Sequence, residues 1–344
     1  MGKTVLVTGG AGFIGSNFCH YIYDRHPDWR IDVLDALTYA GNPMNLPGDP
    51  TGHGDRIRLW VGNVTNATLV ESLVAKADIV VHFAAETHVT RSIFDNLSFF
   101  ETDVIGTHVV ANAVLKAHDR VERFIHVSTS EVYGTSRSHL MDEDHALMPM
   151  SPYASAKCGA DRLVYSYWET YRIPAVIVRP FNNYGPRQHL EKVIPRFISS
   201  ALLEEPFTVH GVGAAERDFI HVEDTCRAID LLLQAPRDAV LGEVFNVASG
   251  QARSVLSIAE AIADMSGRPR SDITLVGERP GQVLRHAGAA ARIERLCGWK
   301  PVIAWEDGLR RTYDWYRDHR DHWRAQLWLR QIPVRSLSGK VELH

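Results

Sequence analysis

Cysteine is scarce. The 344 residues hold four (Cys19, Cys158, Cys226 and Cys297), scattered and never as a Cys-x-x-Cys pair. That spacing argues against a disulfide framework or a thiolate zinc site and for a reduced, cytoplasmic setting. Each is expected to be a small buried apolar residue rather than a nucleophile. Long apolar runs are also missing: none approaches the roughly 18–20 residues of a membrane span. Residues 1–10 enter a strand-like stretch at once, so no signal peptide is expected. An excess of one charge is missing as well. Lys and Arg number 37 against 41 Asp and Glu, which gives no basic surface for nucleic acid. None of the 17 His falls in a pattern with metal-ligand spacing, so no metal is expected. No internal repeat or low-complexity tract appears. With 45% hydrophobic and 23% charged residues the chain is not disordered or collagen-like. Its length suits two domains, or one large α/β domain with an appended lobe.

The first half alternates short β-branched runs with helical patterns. Residues 4–8, 31–34, 57–61, 79–83, 124–127 and 175–178 are apolar at consecutive positions, as strands covered on both faces should be. Residues 12–24, 67–76, 96–116 and 154–171 read as helices between them. The rhythm predicts an α/β fold, a Rossmann-type doubly wound parallel sheet. Beyond Arg179 several prolines and glycines break the rhythm. The reading is a dinucleotide-binding domain at 1–180, then mainly a smaller mixed α/β substrate lobe at 181–330, with a return to the first near 217–250 and a strand near 245–248. Residues 331–344 read as a tail, within a C-terminal segment from 318 that suits a docking helix or a partly ordered extension.

Val5-Leu6-Val7-Thr8-Gly9-Gly10-Ala11-Gly12-Phe13-Ile14-Gly15 is a strand running into Gly-x-x-Gly-x-x-Gly and then a helix. Gly9 allows the tight turn, Gly12 lets backbone approach a pyrophosphate, and Gly15 lets the helix pack on the strand. The helix N-terminus favours the phosphates. Asp35, twenty residues after Gly15, suits both ribose hydroxyls and would repel a 2′-phosphate. No Arg follows it closely, so NAD is expected rather than NADP.

Thr129-Ser130-Glu131 follows the strand at 124–127, at the carboxyl end of the sheet where ligands bind in such folds. Further on, Tyr153 and Lys157 share one helix face at i and i+4. A nearby ammonium and a cationic cofactor would lower the tyrosine pKa, so that its phenolate can take a proton from a sugar hydroxyl.

With these residues in place, the sequence resembles the extended short-chain dehydrogenase/reductase superfamily acting on nucleotide-sugars, and within it the dTDP-glucose 4,6-dehydratases. The stretches that carry the resemblance include LeuThrTyrAlaGlyAsn at 37–42, AlaAlaGluThrHisValThrArgSer at 84–92, GluThrAspValIleGlyThr at 101–107, SerProTyrAlaSerAlaLys at 151–157, AsnAsnTyrGlyPro at 182–186, GluLys-x-IlePro at 191–195, ArgAspPheIleHisValGluAsp at 217–224 and ArgProGly at 279–281. It implies an internal redox cycle in which C4 lends hydride to NAD and C6 receives it back. In that cycle Tyr153 is the base at the 4-hydroxyl, Thr129 holds the 4-oxygen, Glu131 removes the C5 proton, and Lys157 holds the nicotinamide ribose. It implies further cofactor residues at Phe13, Ile14, Leu37, Thr38, Asn63, Val64, Phe83, Ala84, Ala85, Thr102 and Asn183. For the substrate it implies Thr87, Thr129, Asn182, Lys192, Val193, Thr208, His210, Arg217, Asn246 and Arg279. Relatives dimerise through two long helices, here 96–116 and 154–171, which implies a homodimer. The chain departs from the dTDP-glucose pattern at Ser130, where an Asp is usual as the acid for water loss, and at Arg187, a cation for a substrate carboxylate or phosphate. Those departures leave UDP-glucuronate decarboxylation or C4 epimerisation open on the same scaffold.

Overall fold

The computed structural model describes residues 2–49, 56–277, 283, 285–330, 333–335 and 341–343. Its centre is a sheet of seven parallel strands. In chain order the first six are β1 (Thr4–Thr8), β2 (Arg30–Asp35), β3 (Ile57–Val61), β4 (Ile79–His82), β5 (Arg123–Val127) and β6 (Ala175–Pro180). They stand in the order β6-β5-β4-β1-β2-β3, and Val244–Val247 adds outside β6. All pairs are parallel, as the doubly wound reading requires. The order reverses between β1 and β4, so the connections after them leave to opposite faces and open a crevice at the carboxyl ends.

The apolar runs explain the layers. Alternate side chains of a strand point to opposite faces. Val5, Val7, Val33, Val81 and Ile125 pack with Phe18 and Ile22 of α1 (Phe13–Arg25) and with the helix Val222–Gln234. Leu6, Leu34, Val80, Phe124 and Ile177 pack the other way, against α2 (Ala67–Val74), α3 (Thr107–Lys116) and α4 (Pro152–Tyr171). Each such buried side chain contributes about 1.5–3 kcal/mol.

One element differs from the sequence expectation. Residues 96–116 are not one helix: Leu97–Phe99 is a single α turn, Phe100–Gly106 is a π-helix, and only then does α3 begin. The wider π turn inserts a residue and shifts the helix face. Here it brings Thr102 to the cleft and buries Asp103.

Beyond β6 the chain builds a smaller lobe. Glu216–His221 lies between Ala252–Ser254 and Arg285–His286, with Asn182–Tyr184 also alongside. Phe207–His210 pairs with Ile273–Val276. The lobe's core gathers Phe197, Phe207, Ile258, Leu309, Tyr316 and Trp323. The last three belong to α5 (Trp305–Asp318) and α6 (Arg320–Arg324), so the stretch after Asp318 docks by a buried tryptophan. Pro333–Arg335 and Val341–Leu343 pair as an antiparallel ribbon. All four cysteines are unpaired; Cys19 and Cys226 are buried, Cys158 and Cys297 half-buried. Among the described residues no helix is long and apolar enough to cross a membrane.

Candidate active site

A cleft with about 1480 Å³ of empty space, part of it open solvent, runs along the carboxyl ends of the strands. The turn after β1 forms one wall. Gly9 has φ of 69° and donates its N–H to Leu34 O at 2.8 Å. A Cβ at Gly9 would lie 2.6 Å from Ala84 N, and one at Gly15 would lie 2.3 Å from Gly9 O. Only glycine fits either place. Gly12, Phe13 and Ile14 line the cleft. No side chain caps α1 at Gly12, so its first N–H groups remain for an anion.

Asp35 is held beside this turn. Its Oδ2 accepts from Ala11 N at 2.9 Å and its Oδ1 from Leu37 N at 2.8 Å. Burial pushes the carboxyl up and these bonds pull it back. Thr38, Asn63, Val64, Phe83, Ala84, Ala85 and Thr102 continue the wall. Asn63 Oδ1 accepts from Thr65 N and Oγ1, both at 2.9 Å, which leaves its NH₂ to donate. Leu37 and Asn183 stand behind the wall. Leu37 turns the loop in a left-handed conformation, φ 50°. Asn183 is buried, and its Oδ1 has no partner among the described residues.

Local sequence sets the candidate catalytic side chains. Ser151 caps α4, accepting from Ala154 N at 3.1 Å, and Pro152 takes the first helical position. Tyr153 and Lys157 then point into the cleft from one helix face. The hydroxyls of Thr129 and Thr87 lie near the Tyr153 side chain and pull its pKa down. Burial first, then Asp103, push it up, and the upward push wins. The expected lowering by Lys157 is therefore not supplied by the chain itself. Lys157 Nζ donates to Val127 O at 2.9 Å and shares its charge with Asp103 and Asp161.

Asp103 lies in the 101–107 stretch, which by itself gave it no role. It is fully buried; its Oδ1 accepts from Glu86 N at 2.7 Å and its Oδ2 has no partner among the described residues. Thr129 begins a 3-10 turn and accepts from Glu131 N at 3.2 Å. Ser130 meets His286, a residue that no motif marked. Ser130 Oγ lies 3.4 Å from His286 Nδ1, and Ser130 O lies 3.0 Å from Nε2. Burial lowers the pKa of that imidazole. Arg217, paired with His286 in strand register, is within electrostatic reach of Glu131.

Three of the quoted stretches meet at one point of the cleft. Tyr39 Oη donates to Thr87 O at 2.6 Å and to Glu191 Oε1 at 3.0 Å, while Arg91 Nε donates to Glu191 Oε2 at 2.9 Å. Lys192 Nζ lies 3.3 Å from Thr87 Oγ1. Val193 opens the helix Val193–Leu202, and Asn182 opens the strand Asn182–Tyr184. Thr208 and His210 sit on Phe207–His210, with His210 Nδ1 3.2 Å from Gly277 O. Arg279 lies outside the described residues. Among the described residues no group of His, Cys, Asp and Glu is arranged to hold a metal ion.

The sequence matches the family model for GDP-mannose 4,6 dehydratase over residues 6–312. The chain belongs to this dehydratase family. The low-salt glycan biosynthesis protein Agl12 of Haloferax volcanii is 45% identical over 314 residues, covering 91% of this chain and 98% of that protein. The dTDP-D-glucose 4,6-dehydratase of Mus musculus is 38% identical, covering 96% of this chain and 94% of that one. A crystal structure of DesIV, the dTDP-glucose 4,6-dehydratase of Streptomyces venezuelae with NAD and TYD bound, superposes with a TM-score of 0.88 at 39% identity, covering 94% of this chain and 99% of that one.

Two residues of this dehydratase-family chain sit elsewhere than the sequence suggested. Asn246 is fully buried, and its amide is engaged with the frame: Oδ1 accepts from Tyr133 Oη at 2.7 Å, and Nδ2 donates to Met141 O and Ala289 O at 3.0 and 3.2 Å. Tyr133 in turn accepts from Arg179 Nη1 at 2.9 Å, and Arg179 is clamped to Asp161. That chain ties α4 to the sheet edge and leaves Asn246 no group for a substrate. Arg187 does not join the Glu131 side. Its left-handed backbone, φ 68°, follows the twist at Gly185, and its Nη1 donates to Asn17 Oδ1 of α1 at 3.2 Å. It lines the cleft on the phosphate side.

Proposed function

We propose that the chain is an NAD-dependent nucleotide-hexose 4,6-dehydratase, a lyase of deoxysugar biosynthesis that converts an NDP-hexose of the dTDP-glucose type to the 4-keto-6-deoxy sugar. One observation carries the reading. Tyr153 and Lys157 line a cleft that begins with a phosphate-binding glycine turn, and Thr129 and Glu131 stand near enough to Tyr153 to act on its phenol. The residues present fit NAD. The glycine turn and bare N-terminus of α1 suit its pyrophosphate, Asp35 its ribose, Asn63 its adenine, and Tyr153 and Lys157 its nicotinamide ribose. When bound, NAD supplies a reversible hydride acceptor.

The chain's own groups handle the protons. Tyr153, with Thr129 beside it, takes the proton of the sugar 4-hydroxyl, and Thr129 keeps the 4-oxygen in place. A ketone at C4 acidifies the C5 proton, which Glu131 removes. Arg217 is the nearby cation for the substrate diphosphate, since a guanidinium can grip two oxygens. Arg187 on the phosphate side offers no cation to a sugar carboxylate, which weakens decarboxylation as an alternative.

The test is a panel of dTDP-glucose, UDP-glucose, UDP-N-acetylglucosamine, GDP-mannose and UDP-glucuronate incubated with purified protein and read by mass spectrometry. Loss of water from a hexose nucleotide, dTDP-glucose first, is expected without added NAD. Loss of carbon dioxide from the glucuronate alone would overturn the dehydratase.

The protein is proposed to act as a homodimer in the cytoplasm. Unpaired cysteines suit a reducing compartment. Leu97, Phe100, Ile105 and Tyr165, exposed on the Leu97–Gly106 stretch and on α4, give an apolar face for a two-fold partner. Leu97→Asp with Ile105→Glu should halve the mass seen in light scattering; an unchanged mass would place any interface elsewhere.

A further inference from the structure

The C-terminal wall of the cleft takes no part in the chemistry above. Trp315, Tyr316, His322, Trp323 and Gln326 line the same cleft as the glycine turn. They are held there firmly. Trp323 is buried and its Nε1 donates to Tyr316 O at 2.8 Å, while Tyr316 Oη donates to Gln188 O.

Two connections run from this wall to the phosphate turn. His322 Nε2 lies 2.8 Å from Asn45 Oδ1, and Asn45 Nδ2 donates to Ala11 O at 2.8 Å, within the turn itself. The second runs through Arg187. Its guanidinium lies 6.0 Å from the Trp315 ring centroid and is tied to Asn17 on α1. Burial opposes its charge, and no carboxylate pairs with it among the described residues. Beside it the Oε1 of Gln188 is buried without a partner among the described residues. A half-buried, carboxylate-free guanidinium next to the uncapped start of a helix calls for an anion with several oxygens.

We propose that Arg187 grips the pyrophosphate of the dinucleotide and that residues 315–326 form its outer wall, closing the cofactor against the glycine turn. The inference rests on NAD being the resident cofactor. A 4,6-dehydratase returns its hydride within each turnover, so its NAD need not exchange. A wall fixed by a buried tryptophan suits that economy and slows release.

The experiment reads NAD rather than sugar turnover. Purified protein is passed through gel filtration, and NAD released by acid is counted per chain. NAD affinity and dissociation are followed by tryptophan fluorescence. Ending the chain at Asp318 would remove a core tryptophan, so Arg187→Met and His322→Ala are used, with thermal melts as the check on folding. Wild type should retain NAD. Arg187→Met should weaken binding by about tenfold or more, the effect of one charge-assisted contact. His322→Ala should speed release by about as much. Saturating NAD should restore turnover in both. Wild-type retention and release in both variants would overturn the proposal. So would lost turnover that saturating NAD fails to restore.

Discussion

Tyr153→Phe should lower kcat by about 10²–10⁴-fold, the usual worth of a positioned general base, and leave NAD binding nearly unchanged. Phenylalanine keeps the ring that lines the cleft and removes only the hydroxyl near Thr129 and Thr87. The missing group is the one that must accept the 4-hydroxyl proton, so the first oxidation fails. Mixing the variant with substrate should therefore give no near-ultraviolet absorbance of reduced nicotinamide. Direction with pH follows from the surroundings. Burial and Asp103 push the phenol up, so only a small fraction is ionised near neutrality, and wild-type turnover should rise as pH rises. A cationic nicotinamide opposes that push, which makes the bound cofactor part of what readies the base. A variant that still reduces its cofactor on mixing would show that another group is the base.

Much of the sheet could be read in advance because strands buried on both faces must be apolar at every position. The glycine turn was legible for a steric reason, since at Gly9 and Gly15 a side chain would collide with backbone. What escaped the sequence is what depends on distant pairs. His286 touches Ser130 across 156 positions, and His322 touches Asn45 across 277. No local pattern encodes such meetings. The π turn at Phe100–Gly106 was hidden because its residues keep an ordinary helical polarity and only the hydrogen-bond spacing changes. Arg187 was read as a cation for the substrate. Its place on the phosphate side is set by a left-handed backbone, which side-chain identity does not announce.

Glu131→Gln should separate the two halves of the reaction. Tyr153, Thr129 and Lys157 remain, so oxidation at C4 should proceed and reduced cofactor should accumulate, while water loss stops. The effect on overall turnover should reach the upper end of the 10²–10⁴-fold range of acid–base catalysis, about 10⁴, because the neighbouring residue is a poor substitute. The departing 6-hydroxyl needs a proton. A serine hydroxyl is a weak acid, and Ser130 is bonded to an imidazole whose charged form is disfavoured by burial. On the proposed reading Glu131 is then the group that both takes the C5 proton and delivers one to the leaving oxygen. Ser130→Ala should accordingly cost less than about tenfold, the scale of one neutral hydrogen bond. If Ser130→Ala instead matches Glu131→Gln, with reduced cofactor building up in both, the proton reaches the 6-hydroxyl through Ser130 and His286. The serine would then be a proton relay and not a spacer.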